Sequence, residues 1–180
     1  MRNIKLQNGY RELLGRYENH FEYAVTLTLK QSITITATDE FGYVSKKRSW
    51  LSKTKLCNTT RHFTATLTRY LFGNAAKNKN TRDTARPLLL FVVEGQNSEK
   101  RVHLHVALGN VPKHKKAEIA QTIKDAWATC DFAYEQIEVK SIYDATGWTN
   151  YITKEIGITN DDALDVVNSV IPKNILNQQL

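Results

Sequence analysis

The chain has 180 residues, 41% hydrophobic and 24% charged, with a formal net charge of +7 at pH 7. That is long enough for one domain with a sizeable core, and no internal repeat or low-complexity tract points to a fibrous or disordered class. Cys57 and Cys130 lie far apart without CxxC spacing, no apolar run approaches membrane-span length and no signal peptide is recognisable, so the expectation is a soluble intracellular protein with reduced thiols and no membrane partner.

The charge is uneven. From Lys154 onward two bases (Lys154, Lys173) face four acids (Glu155, Asp161, Asp162, Asp165), which is −2 and leaves +9 for residues 1–153. A basic balance of this size suits a polyanionic partner.

In chain order, Phe21 to Leu29 is rich in aromatic and β-branched residues and predicts a strand. Ser32 to Thr38 alternates apolar and polar residues and predicts a second, partly exposed one. Lys46 to Trp50 is a basic stretch with an embedded aromatic. From Lys53 to Phe72, Leu56, Phe63, Leu67, Tyr70 and Leu71 follow helical spacing, and Gly73 is a stop. Asn74 to Arg86 is polar and basic, and is expected to be a mobile loop. Two apolar runs, Pro87 to Glu94 and Arg101 to Leu108, flank the turn-rich stretch Gly95 to Lys100 and predict a β-hairpin. Pro112 precedes a helix from about Lys113 to Thr129 with Ile119, Ile123, Ala126 and Trp127 inward. Phe132 to Val139 is a further strand. Ile142 to Ile156 is expected to be helical, although Gly147 disfavours it, and Asp161 to Val170 to form a last short helix ending near Pro172. The economical architecture is α+β, a central antiparallel β-sheet with helices packed on it. One domain is expected over 1–180, with its core at about 20–157 and a C-terminal extension at 158–180.

Three segments bear chemistry. In His103-Leu104-His105 the two imidazoles share one face of a strand because side chains alternate with period two. If the hairpin turn centres near Ser98 and Glu99, Glu94 lies across from His103, and two imidazoles and one carboxylate converge as a divalent-metal site. The plain alternative is a pair of strand histidines satisfied by hydrogen bonds. In Tyr151-Ile152-Thr153-Lys154 the tyrosine and lysine project from one helical face. A phenol can attack a phosphodiester and hold the phosphoryl group covalently. Its unperturbed pKa of about 10 makes it a poor nucleophile unless a cation assists. Lys154 can position the phosphate or ease loss of the phenolic proton; the plain alternative is an amphipathic tyrosine with its ring in the core. Thr26-Leu27-Thr28 ends a strand in hydroxyls that could line a groove, although an architectural role is favoured for it.

Taken in this order, Thr26-Leu27-Thr28, His103-Leu104-His105 and Tyr151-Ile152-Thr153-Lys154 resemble the three motifs of the HUH endonuclease superfamily. The nearest likeness is to single-tyrosine rolling-circle replication initiators (Rep proteins), and it spans Phe21 to about Glu155. The resemblance implies that His103 and His105, with Glu94 as third ligand, chelate Mn²⁺ or Mg²⁺. It also implies that Tyr151 is the nucleophile that becomes linked to the 5′ end of nicked single-stranded DNA, assisted by Lys154. Gly147 and Glu155 stand where a second tyrosine would be, one helical turn away, so the site has one tyrosine; Tyr143, two turns away, is expected to pack. His20, His62 and His114 are isolated, leaving no third histidine of the relaxase kind.

Lys46, Lys47, Arg48 and Lys53 around Trp50, then Lys79, Arg82 and Arg86, then Lys113 and Lys115 form three basic runs. Interleaved cations and aromatics suit a single strand whose phosphates are tracked and whose bases stack. No Gly-x-x-x-x-Gly-Lys-Ser/Thr loop is present, so no helicase domain is expected. The resemblance therefore implies a nicking and rejoining enzyme acting on origin DNA, in hairpin form, with host helicase and polymerase as partners. Its place is the cytoplasm of a bacterial host, or the nucleus if the host is eukaryotic. A transposase or relaxase of the same superfamily would share the chemistry. A phosphodiesterase or histidine-triad hydrolase would need further histidines where Ala107 stands. A non-catalytic nucleic-acid-binding module would need none of it.

Overall fold

All seven residues of β4 (Leu88–Glu94) are buried in the computed structural model, which describes residues 3–95, 101–154, 156 and 163–178. Alternation sends Leu89, Phe91 and Val93 into one apolar cluster and Leu88, Leu90 and Val92 into another. A strand apolar on both faces needs a layer on each side. β4 pairs antiparallel with β5 (His103–Gly109), β5 with β1 (Phe21–Leu29) and β1 with β6 (Ala133–Ser141), so the sheet order is β4-β5-β1-β6. On one face Val25, Leu27, Leu29, Leu104, Val106 and Leu108 meet α2 (Lys53–Phe72) and α3 (Ile119–Ala128). On the other, Leu88, Leu90, Val92 and Ala107 meet α1 (Ile4–Gly15) and α4 (Ala145–Ile152) through Leu14 and Ile152. The α+β architecture is as expected.

α2 begins where the Ser52 hydroxyl accepts a hydrogen bond from the Lys55 amide, and it stops at Gly73, whose φ of +53° suits a residue without a Cβ. Phe63 meets Phe91 and Trp127 edge-on, with ring centroids 6.4 and 5.4 Å apart, fixing α2 to both β4 and α3. Gly109 is needed for close approach: a Cβ there would lie 1.9 Å from the His20 carbonyl oxygen. Gly109→Ala is therefore expected to cost about 2–3 kcal/mol, a fall of roughly 5–10 °C in thermal midpoint for a chain of this size, readable by calorimetry.

β2 (Ser32–Thr38) and β3 (Val44–Trp50) form a separate two-stranded antiparallel ribbon. Its turn is closed by the Asp39 carboxylate, which accepts from the Phe41 and Tyr43 amides at 2.9 Å, and by Gly42 at φ +82°.

Several expectations are corrected. The basic stretch Lys46–Trp50 is a strand, β3. Ile4–Gly15 is a helix with no counterpart among the sequence expectations, and Leu14 and Tyr17 lie in the core, so the core begins before residue 20. The helix expected over Asp161–Val170 is replaced, in its described part, by two isolated bridges to the free edge of β4, Leu164 with Val92 and Val170 with Leu89, with a turn at 166–168 between them. Asp161 and Asp162 lie outside the described residues. Ala163, Leu164 and Ile175 are buried, which makes this segment part of the core rather than an extension from it. The helix expected from Lys113 to Thr129 opens as a 3₁₀ turn, Lys113–Glu118, before α3, and α4 is shorter than Ile142–Ile156. Tyr143, expected to pack, is 96% exposed, and Tyr70 lies at the surface. Both cysteines are free thiols; burial pushes the Cys130 thiol up to about 11. Among the described residues no helix is long and apolar enough to cross a membrane.

Candidate metal and nucleophile site

Strand register assembles the first half of the site. Glu94 pairs with His103, and His103 with Thr28, in one row across β4, β5 and β1; Val92, His105 and Thr26 form the next row. The intervening residues Val93, Leu104 and Leu27 point into the α2–α3 cluster, so Glu94, His103, His105 and both threonines stand on the α1–α4 face. Glu94 and His105 are buried and His103 is half-buried. One carboxylate oxygen, Oε2, lies 2.8 Å from His105 Nε2 and 3.5 Å from His103 Nε2.

Each ring is oriented from behind. His103 Nδ1 donates to the Arg101 carbonyl at 2.9 Å, which leaves its Nε2 lone pair facing Glu94. His105 Nδ1 lies 3.3 Å from the Thr26 hydroxyl. Burial, the largest influence, holds the His105 imidazole below its ordinary pKa; the hydrogen bond with Glu94 pulls upward, and His103 pushes down again. A neutral imidazole is the form that ligates. One ligand atom from each of Glu94, His103 and His105 lies within 4.8 Å of the others, and two imidazoles with one carboxylate are a donor set for a divalent cation with open positions left over. These three residues can hold a metal ion.

The second half comes from α4. Its first turn is capped by Asp144, whose carboxylate accepts from the Gly147 amide at 2.8 Å. A Cβ on Gly147 would stand 2.1 Å from that carboxylate, which explains a glycine in a helix. At the far end Tyr151 sets its ring 5.7 Å from the His105 ring, nearly perpendicular, and remains 52% exposed. Lys154 follows one turn later: its ammonium lies 3.8 Å from the centre of the Tyr151 ring and 3.6 Å from Glu94 Oε1. The five residues that the sequence singled out are thus brought together: a convergent ligand set, a phenol at its mouth and an ammonium touching both.

Residues outside the motifs hold this arrangement. Gln7, 1% exposed, donates from Nε2 to the carbonyls of Thr153 and Lys154 at 2.8 and 3.3 Å. Arg11 Nε donates to the Thr153 hydroxyl at 3.1 Å. α1 therefore pins the turn that carries Lys154 by satisfying carbonyls a helix end leaves open. Nothing in the local sequence signals Gln7 or Arg11. The role of Thr26 was foreshadowed only as strand architecture; its contact with His105 depends on the β1–β5 pairing.

The basic runs divide. Lys46, Lys47 and Arg48 lie exposed on the ribbon, and Arg48 stacks 4.4 Å from the centre of Trp50, itself 59% exposed. The ribbon leaves β1 just after Thr28, at the end of the sheet that holds the ligands, and Lys53 opens α2 directly behind it. Lys79, Arg82 and Arg86 precede β4, while Lys113 and Lys115 follow β5, both at the Leu88–Gly109 end. Six strand steps separate that end from Glu94, roughly 20 Å, so these five cations are not gathered with the ligands.

Comparisons of this chain with family models, with curated proteins and with solved structures give no match.

Proposed function

We propose that this protein is a metal-dependent endonuclease of the HUH kind, which nicks and rejoins single-stranded origin DNA to initiate rolling-circle replication. The observation that carries this reading is the seat of Tyr151, with its ring beside His105 and Lys154 placed between that ring and Glu94. A bare metal-binding or architectural site has no use for a half-exposed phenol and an ammonium at its mouth.

Glu94, His103 and His105 would hold Mn²⁺ or Mg²⁺, two imidazoles favouring Mn²⁺ of the pair, and the bound ion would supply positive charge to a scissile phosphate. The chain's own groups do the rest. Tyr151 Oη gives up its proton to solvent, helped by the adjacent Lys154 charge, and attacks phosphorus. The bond from phosphorus to the 3′ oxygen breaks, that oxygen takes up a proton, and the phosphate stays on Tyr151 as a 5′-phosphotyrosine. Rejoining is the reverse: a 3′-hydroxyl attacks the phosphotyrosine and Oη leaves with a proton. The freed 3′-hydroxyl can prime a host polymerase, and unwinding falls to a host helicase.

The test is to mix the protein and Mn²⁺ with a broad set of labelled single-stranded hairpin oligonucleotides and run denaturing gels. A shifted band that survives denaturation, vanishes with chelator and maps by mass spectrometry to the peptide containing Tyr151 is expected. No adduct with any hairpin, or attachment at another residue, overturns the reading.

A further inference from the structure

Along the second half of α2, Arg61, Thr64, Thr68 and Arg69 recur at helical spacing and line one wall of a groove of about 360 Å³. The facing wall is the 73–86 segment, which brings Lys77 and Arg86. Hydrogen bonds hold that segment in place: the Thr81 hydroxyl donates to the Ala75 carbonyl at 2.7 Å, and Asn110 Nδ2 donates to the Thr84 and Arg86 carbonyls at 3.3 and 2.6 Å. Among the described residues no acid lines the groove, and none of its four cations is ion-paired. Arg86 Nε donates to the Arg82 carbonyl and Arg61 Nη2 lies 3.7 Å from Cys57 Sγ, which leaves further guanidinium N–H groups for other acceptors. Like charges around one groove repel, a cost that an anion between them offsets. A second observation points the same way. Thr59, Thr60 and Thr68 each donate from the hydroxyl to the carbonyl four residues back, at 2.8, 3.0 and 2.7 Å. Thr64, on the same helix, has its Oγ1 buried with no hydrogen-bond partner among the described residues. A buried hydroxyl left unpaired is costly, and Thr64 lines the groove, where a phosphoryl oxygen can accept from it.

We infer that this groove is a binding site for a phosphoryl chain, either the triphosphate group of a nucleoside triphosphate or the same chain in inorganic polyphosphate. Guanidinium forks match phosphoryl oxygens two at a time, and Lys77 adds a point charge. Several negative charges in one short chain answer four cations better than a single small anion does. No aromatic ring lines the groove among the described residues, so a nucleic-acid strand finds no stacking platform there. A phosphoryl chain needs none. Arg86 stands at the Leu88–Gly109 end of β4, roughly 20 Å from Glu94. The groove is therefore separate from the metal-ligand set, and it stands whether or not that set serves a nuclease.

Calorimetric titration of the full chain with tripolyphosphate, ATP, sulfate and a single-stranded oligonucleotide tests it. The protein is first freed of divalent cations, so that no phosphoryl group binds through an ion at Glu94, His103 and His105. Tripolyphosphate is expected to bind and to raise the thermal midpoint. Combined Arg69→Gln and Lys77→Gln, both at exposed positions, should weaken it by at least about tenfold. Thr64→Val should weaken it by about tenfold, the scale of a hydrogen bond to a charged group, while the midpoint without ligand stays level or rises because the unpaired hydroxyl is gone. A Thr64 of purely structural role would not separate the two readouts, and this variant carries the test alone should the double variant not fold by circular dichroism. ATP bound more tightly than tripolyphosphate supports the site and identifies the nucleotide as its ligand; tripolyphosphate bound as tightly or more so supports it and identifies the inorganic chain. Four results overturn the inference: no tripolyphosphate binding, sulfate bound as tightly, unchanged affinity in the variants, or an oligonucleotide that binds more tightly than tripolyphosphate and loses as much affinity in Arg69→Gln with Lys77→Gln. The last would make the groove a strand-binding surface. None of these results bears on the Tyr151 adduct.

Discussion

Tyr151→Phe is expected to cut formation of the covalent protein–DNA adduct by at least about a thousandfold, the scale of removing a nucleophile, while leaving affinity for single-stranded DNA within about twofold. The asymmetry follows from what the substitution removes. The phenylalanine ring keeps its near-perpendicular contact with His105 and its place under the Lys154 ammonium. It also keeps the helical position whose core contact is made by Ile152, not by Tyr151. Only Oη is lost, the atom that bonds to phosphorus in the proposed mechanism. The thermal midpoint should stay within about 2 °C of wild type, because an exposed hydroxyl contributes little to folding. Adduct is read on denaturing gels and affinity by anisotropy on the same preparations. Undiminished cleavage by this variant removes Tyr151 from the chemistry, whatever else the site does.

How much of this was visible in the sequence depends on whether the cause was local. β1, β2 and α2 coincide with their sequence expectations because each has its own period: alternation in Ser32–Thr38, and helical spacing of Leu56, Phe63, Leu67 and Leu71. The pairing of Glu94 with His103 was legible because two apolar runs paired antiparallel about the sequence midpoint Ser98–Glu99 set those two residues opposite each other. β3 was missed because Val44–Trp50 is apolar only at its two ends, so no alternation reveals a strand. α1 was hidden by Gln7 at a buried position and by Gly9 and Gly15, which lower helical propensity. The segment after Ala163 reads as an amphipathic helix but meets the unpaired edge of β4, and backbone hydrogen bonds to Leu89 and Phe91 win. Within the site, Glu94, His103, His105, Tyr151 and Lys154 were all named from sequence. The contacts that hold them, from Gln7, Arg11 and Thr26, arise across long separations in the chain and left no local mark.

Glu94→Gln should separate metal binding from folding. In the wild type, Mn²⁺ at about one hundred times its dissociation constant adds about 2.7 kcal/mol of stability by mass action, which is roughly 5–11 °C in thermal midpoint for a chain of this length. The variant keeps an oxygen to accept from His105 Nε2 and a side chain of equal size at a position only 6% exposed. It loses the negative charge that three groups share: His105 and His103 on Oε2, and Lys154 on Oε1. Lys154, more than a third of whose side chain is exposed, can turn its ammonium to water, so the variant should fold with a stability loss of only about 1–2 kcal/mol. A divalent cation has no such escape, because a neutral amide replaces its only anionic ligand among the three. Loss of a partner to metal ligands costs 10–100-fold, and loss of the anionic ligand itself should cost roughly a hundredfold or more. Calorimetric titration with Mn²⁺ reads the affinity directly, and thermal melts with and without Mn²⁺ should show the wild-type shift disappear. An unchanged shift in Glu94→Gln means that the ion binds elsewhere, and that the carboxylate serves only to tether two histidines and a lysine.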